Sequence, residues 1–517
     1  MNLQYRMELA GSALLGLLDT EHDWMPTGGY EVAHDLGRWW DAVLRLEEAI
    51  GFVIPPELEA ASLRNLQRFT DNPIGLLMHV SDIPSLNVIG KINLHNFRET
   101  LLAMGGLARR RNSAWARSAG MKVVRAMDRY LQADGRLDMS NLSDEMSLQI
   151  NPDLSQMQIV RNGWFDGTAS SGRCLEALVW FFLETQDSTV FEVANRIAEH
   201  HILHSARTDG KVHDGIIDPE NLGHCHSYLG TLRGLLLFGF LTHQQRFVDV
   251  VEATYRNGIR GRLVTESGWA PHDLGKTRFP NSNGDSLADP ASAGDAAQIA
   301  LWLAMRAGCA ELLDDVERIV RARLVPAQIT AQDAALNLDR QFRSREMGAW
   351  GITTGSHGCK TAVPDVLAAV VHTLCDIHGN IVTRDEAGVR INLHMDRDTD
   401  DVSFTSKRGQ HSVLEVRIKR PYNLSIRIPA WTTPSSVSLT VDGIPKQVIR
   451  AGSYCWIPRD SLVVGSIVRL SHDLPERQSE EIMPSGRRYA FDWRGDEVVG
   501  IDPQDTPLPF YSARNAK

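Results

Sequence analysis

The sequence predicts a mainly α-helical (α/α)6 toroid followed by a C-terminal antiparallel β-sandwich. Three observations carry this prediction. Helical periodicity recurs through residues 1–378, in segments paired across short polar turns. Longer loops rich in Gly, Asp, Asn, His and Trp separate the pairs. After residue 378 the apolar pattern changes to period two. At 517 residues the chain also exceeds what one hydrophobic core usually holds, so separate domains are expected.

The N-terminal stretch 13–18 is apolar, but no basic segment precedes it and its period is helical. It reads as a first amphipathic helix rather than a leader. Helical segments follow at 37–50, 97–107, 114–131, 175–184, 188–200, 226–240, 244–258, 296–307, 312–324 and 364–375. RRRN at 109–112 and ETQD at 184–187 are tight polar turns, so the flanking segments form αα-hairpins. The hairpins and the loops between them make a rough repeat of about fifty residues. Hairpins with no sheet between them bury their apolar faces by stacking side by side. About six can close into a ring with inner helices around a cavity and long loops at its mouth. An open helical solenoid is the alternative. Beyond 378, segments 388–394, 412–418, 424–429 and 436–442 alternate, and VDGIP at 441–445 signals a hairpin. The expected domains are the toroid, 1–378, the sandwich, 379–480, and a tail, 481–517, packed on the body.

Charge narrows the partners. The net charge is −10 and no long Lys/Arg run occurs, which disfavours nucleic acid and anionic membranes. No apolar run reaches the roughly 20 residues of a membrane span. The six cysteines, Cys174, Cys225, Cys309, Cys359, Cys375 and Cys455, are scattered without a Cys-x-x-Cys pair. That predicts reduced thiols and a cytoplasmic setting.

Several motifs resemble one family. LSIRIPAW at 424–431, a VDG turn and GSYCWIP at 452–458 are similar to the C-terminal sandwich of glycoside hydrolase family 127, the β-L-arabinofuranosidase-type enzymes. GHCHSYL at 223–229 resembles the Gly-His start of an inner helix that places a sugar-binding His. His95, before NFRETL, resembles another such position. DAAQIALW at 295–302 and GCKTAVPDVL at 358–367 resemble the segments that carry the family's metal and nucleophile. The resemblance implies a six-hairpin glycosidase fold and a saccharide-sized cavity. It does not carry over the family's zinc, held by one Glu and three Cys. Neither a Glu nor a Cys stands at 294–296, and only Cys359 stands at 357–360.

Cleaving a glycosidic bond usually needs two carboxyl groups, one to protonate the leaving oxygen and one to attack carbon or activate water. In a toroid these project from the loops before the inner helices or from first turns. Glu266, His272 and Asp273 lie in TESGWAPHDLG at 265–275, where Trp269 could stack on a sugar face or fold onto the body. Asp285, Asp289 and Asp295 lie in the polar stretch 281–295; Asp295 reads either as catalytic or as a helix N-terminal carboxylate. Asp35 reads as a sugar ligand, an acid or an N-cap, and Trp39 and Trp40 as core. His95, His224 and His226 are candidates to orient hydroxyls. At spacing two, His224 and His226 point apart, and no nearby carboxylate completes a metal set. His357 and Cys359 are candidate substrate contacts, with Cys359 either a nucleophile or a buried inert thiol. Gly pairs such as that at 28–29 are too short for a phosphate loop, and GSHG at 355–358 is not a nucleophile elbow.

The expectation is a glycoside hydrolase acting on a small oligosaccharide or glycoside. It would need no cofactor or metal, and its partner would be a small carbohydrate, with no nucleic acid or membrane and with room for homo-oligomer formation. The rivals are a lyase or sugar epimerase on the same toroid, with Arg278, Arg343 and Arg345 holding a uronate, and a non-catalytic saccharide-binding protein.

Overall fold

The helical segments of the sequence form two concentric layers in a computed structural model. It describes residues 1–21, 23–26, 31–78, 91–139, 158–160 (backbone only), 170–212, 224–272, 274, 288–331, 344–352, 362–483, 485–504 and 511. The outer helices are α1 (Leu3–Gly16), α3 (Pro56–Thr70), α5 (Ala114–Tyr130), α7 (Ser188–His204), α9 (Gln245–Thr254) and α11 (Leu313–Ile319). The inner helices are α2 (Val32–Ile50), α4 (Asn96–Arg110), α6 (Ser170–Thr185), α8 (Cys225–Thr242), α10 (Pro290–Arg306) and α12 (Pro364–Asn380). Each inner helix packs on the next, and α12 packs back on α2. The ring is therefore closed, which excludes the open solenoid.

Burial explains which helices go where. An inner helix has neighbours on both sides, an outer helix behind it and the ring axis in front. In α8 every residue from Cys225 to Gly239 is buried, and in α10 every residue from Pro290 to Ala304. α5 buries only a stripe, including Ala116, Val123, Val124 and Met127, and is charged elsewhere, as an outer amphipathic helix should be. Close approach is built in at Gly37, where a Cβ would sit 2.8 Å from the Glu99 Cβ of α4.

Several boundaries differ from the periodicity. α3 adds a helix that the pattern did not single out. α10 starts at Pro290 because Asp289 caps it, accepting from Ala291 N at 2.8 Å, with proline at the first helical position. This assigns the helix-start role to Asp289, so the N-terminal reading of Asp295 is corrected: it lies in the second turn. Asp35 is likewise no N-cap; α2 begins at Val32. Trp39 and Trp40 are core.

Apart from two two-stranded pairings within the helical part, Leu18–Asp19 with Met25–Pro26 and Lys91–Asn93 with Gln158–Val160, the strands begin at Val382, two residues after α12 ends. A five-stranded and a six-stranded sheet follow, and their inward residues, such as Ile391, Ile426, Val416 and Leu470, join the hydrophobic core. One pairing, Leu424–Arg427 beside Gly388–Ile391, is parallel; the other neighbours in these two sheets are antiparallel. Val441 pairs with Ile444 across Asp442 and Gly443, whose φ values of 52° and 79° make the two-residue hairpin the sequence signalled. The buried guanidinium of Arg427 pairs with Asp314 and Glu317 and ties these sheets to the outer layer of the ring.

A third, antiparallel sheet, Glu476–Ile482, Arg488–Arg494 and Glu497–Asp502, lies where a tail was expected. Its Tyr489, Phe491 and Trp493 pack with Tyr511, Ala322 and Trp269. Trp269 is 3% exposed there, so it is core rather than a sugar platform, a correction to the sequence reading. Trp269→Ala should destabilise the chain by about 3–5 kcal/mol, measured by urea unfolding. No helix among the described residues is long and apolar enough to cross a membrane.

Candidate active site

Within each hairpin the inner helix comes first and a short turn leads to the outer one, so the long connections all precede inner helices. The N-terminal halves of the six inner helices meet at one end of the ring. At the other end, residues from their C-terminal halves, among them Arg45, Trp180, Trp302 and Asp376, line a cavity of about 340 Å³.

Between the two ends lies a buried charge lattice. Glu99 Oε1 accepts from Arg98 Nη1 (3.0 Å) and Arg173 Nη2 (2.7 Å), and Arg38 Nε lies 2.8 Å from it as an ion pair. Glu176 Oε2 accepts from Arg98 (3.1 Å) and Arg233 (2.9 Å), and its Oε1 lies 3.4 Å from His372 Nε2. Both carboxylates are 0% exposed. Burial alone would push them up. Arg173, His34, Arg38 and Arg98 outweigh it at Glu99, and Arg233, Arg98 and His372 at Glu176, holding both well below the usual carboxylate range. His372 Nδ1 bonds Asp41 at 2.7 Å, and the His372 ring stacks on Trp180 towards the far cavity.

Nearer the mouth, arginines fix the imidazoles. Arg38 Nη2 donates to His226 Nε2 at 2.6 Å; arginine cannot accept, so the ring proton sits on Nδ1 and is donated to Asp295 at 2.5 Å. Burial, then Arg38, keeps His226 neutral by lowering its pKa well below the ordinary value. Asp295 also pairs with Arg233 at 3.2 Å, yet burial pushes its carboxyl up to about 7. Arg173 donates to His95 Nδ1 at 2.6 Å in the same way. His34 Nδ1 donates to Asn96 at 3.0 Å.

A second group assembles from three chain segments. Pro271 and Ala288 form an antiparallel bridge, Asp289 N donates to Ala270 O (2.9 Å), and Cys225 N donates to His272 O (3.0 Å). These backbone bonds set His272 and Asp289 beside the first turn of α8. His224 Nε2 lies 3.2 Å from His272 Nδ1, which lies 3.9 Å from Asp289 Oδ2. The neighbouring carboxyl is Asp365, in the first turn of α12. Its Oδ1 is buried with no hydrogen-bond partner among the described residues. Burial pushes Asp365 above the ordinary range against Arg38, with Asp289 adding to the rise.

Of the residues expected from sequence, the structure thus gathers Asp35, His95, His224, His226, His272, Asp289 and Asp295 at or just beneath the mouth. Glu266 is not among them, a correction. Its carboxylate pairs with Arg477 at 2.8 Å and its carbonyl accepts from Arg318 of α11, outside the inner ring. Asp273, Asp285, His357 and Cys359 lie outside the described residues. Sequence reasoning missed Arg38, Glu99, Arg173, Glu176, Arg233 and Asp365. One signal was available: Arg233 stands in α8 among apolar and small residues, and a cation so placed needs a buried partner.

The described residues do not fit a zinc-thiolate site. Cys174, Cys225, Cys309, Cys375 and Cys455 are free and buried, and no three thiols among them come together. At the position matching the family's metal segment, Asp295 is engaged by His226 and Arg233.

No protein-family model and no curated protein matches the sequence. Solved structures do match. A GH127 β-L-arabinofuranosidase from Geobacillus stearothermophilus aligns at TM-score 0.55 and 12% identity, covering 96% of this chain and 80% of that one. A second GH127 β-arabinofuranosidase aligns at TM-score 0.58 and 12% identity, over 96% and 78%. Cellobiose 2-epimerase from Spirochaeta thermophila aligns at TM-score 0.52 and 14% identity, over 73% and 98%. The chain therefore has the six-hairpin (α/α)6 toroid fold of the GH127 β-L-arabinofuranosidases, a fold also found in a sugar epimerase.

Proposed function

We propose that the protein is a glycoside hydrolase acting on a small oligosaccharide or glycoside. One observation carries this reading: Asp365, whose buried Oδ1 has no hydrogen-bond partner among the described residues, is near enough to a second carboxyl, Asp289, at the mouth of the toroid to feel its charge. A protonated Asp365 can give its proton to the leaving glycosidic oxygen as the C–O bond breaks. The His224–His272–Asp289 group can take a proton from the water that attacks the anomeric carbon. His95 and His226, locked by Arg173 and Arg38, would orient hydroxyls, and Asp295 would hold His226 from below.

The test is a panel of nitrophenyl glycosides and short oligosaccharides, read by aglycone and reducing-sugar release. Cleavage of at least one supports the proposal. A second reading, epimerisation, is favoured by the imidazoles that the described residues place at the mouth, His34, His95, His224, His226 and His272, which suit proton transfer at a carbon beside a carbonyl. Solvent deuterium entering a reducing disaccharide without bond cleavage would establish it and overturn the hydrolase. Binding without either reaction would leave a saccharide-binding protein.

A further inference from the structure

We infer that His224, His272 and Asp289 form a binding site for one divalent transition-metal ion, of zinc-like preference. The inference rests on the mouth group used in the proposed function; with an ion held there, the attacking water would lose its proton while bound to the ion rather than to an imidazole.

The ligand atoms are His224 Nε2, His272 Nδ1 and an Asp289 carboxylate oxygen, all within 4.8 Å of one another. Bonds of 2.0–2.1 Å in a tetrahedron separate ligand atoms by about 3.3 Å, and the observed separations of 3.2 Å and 3.9 Å bracket that value. The donors are two imidazoles and one carboxylate, a set that suits zinc and its first-row neighbours. The three ligands among the described residues leave a position for water or a sugar hydroxyl, as in catalytic rather than structural sites. His272 is 28% exposed at its side chain, so the group is open on that side.

The surroundings orient the ligands as a metal site requires. His224 Nδ1 lies 3.1 Å from Ser227 Oγ, which also accepts from Arg173 at 3.3 Å. With Nδ1–H given to Ser227, His224 presents the Nε2 lone pair to His272. Asp289 is fixed by Ala291 N (2.8 Å) and Ser292 Oγ (2.7 Å). The backbone bonds at Pro271, His272 and Asp289 hold all three segments together without any ion. This donor set contains no thiolate, unlike the zinc site of the family the chain resembles.

The full chain is stripped with a chelator, titrated with Zn²⁺ by calorimetry and assayed for bound metal by mass spectrometry. One zinc per chain is expected. His224→Ala, His272→Ala and Asp289→Asn should each weaken it at least about 100-fold, and Ser227→Ala about 10-fold or more. His204→Ala is the control, since exposed His204 beside His200 is the rival surface pair and its loss should change nothing. Co²⁺ in place of zinc should give d–d bands without a thiolate charge-transfer band. No stoichiometric zinc, binding lost only in His204→Ala, or a thiolate band would each overturn the site. Circular dichroism screens the variants for folding, and Ser227→Ala, a small cavity-free change, keeps the test decisive if a ligand variant fails to fold. Because binding is read without substrate, its failure is distinct from a failure to cleave glycosides.

Discussion

Asp365→Asn is expected to lower kcat/KM for a cleaved glycoside by about 10²–10⁴-fold while leaving the unfolding midpoint unchanged. The amide keeps the size of the side chain but cannot yield a proton. Because Asp365 Oδ1 has no partner among the described residues, the substitution breaks no observed hydrogen bond at that atom. A structural residue would show the opposite pattern, a shifted midpoint with activity retained. An aryl glycoside with an acidic phenol as leaving group needs less protonation. It should recover much of the loss, and a variant equally slow on good and poor leaving groups would rule Asp365 out as the acid.

A stability effect as large as that of Trp269→Ala is expected at Glu176. Its carboxylate pairs with Arg98 and Arg233, both essentially buried, so Glu176→Ala removes a shared counter-charge and leaves Arg98 only Glu99 and Arg233 only Asp295 as carboxyl partners. Breaking a buried pair in this way costs about 3–5 kcal/mol, measured by urea unfolding at neutral pH. Glu176→Gln keeps acceptor capacity and should lose less. The pH dependence follows from the same group. Folding lowers the pKa of Glu99, Glu176 and Asp41, so the unfolded chain binds protons that the folded chain does not. Their contribution is complete above about pH 5 and is lost progressively as pH falls from the range where unfolded carboxylates titrate down to the lowered folded values. Glu176→Ala should therefore flatten the acid side of the stability profile. An unchanged acid limb would show that Glu176 is not ionised in the folded chain.

The ring was legible because its signals are local. Each hairpin carries its own period, its own tight turn and, at Pro290 or Pro364, its own start. The C-terminal change to period two is equally local. The outer helix α3 was passed over because its buried stripe, including Leu58, Leu66 and Phe69, runs through many charged residues. The site was only partly legible. His224, His272 and Asp289 could each be named, but their meeting depends on a bridge between Pro271 and Ala288 and on a backbone bond from Cys225. Glu99, Glu176 and Arg98 carry no local sequence signal that sets them apart from other helix charges. Only closure of α12 onto α2 turns their helix faces towards a common axis. Trp269 failed for the converse reason: an aromatic in a polar loop finds its partners in Phe491 and Trp493, more than two hundred residues later.

The interlocked arginines and carboxylates also make the toroid blind-ended. Glu99, Glu176, Arg98 and Arg233 seal its bore midway, so the mouth and the far chamber do not communicate as a tunnel. A ligand that enters at the mouth therefore cannot pass through the described core to the far chamber.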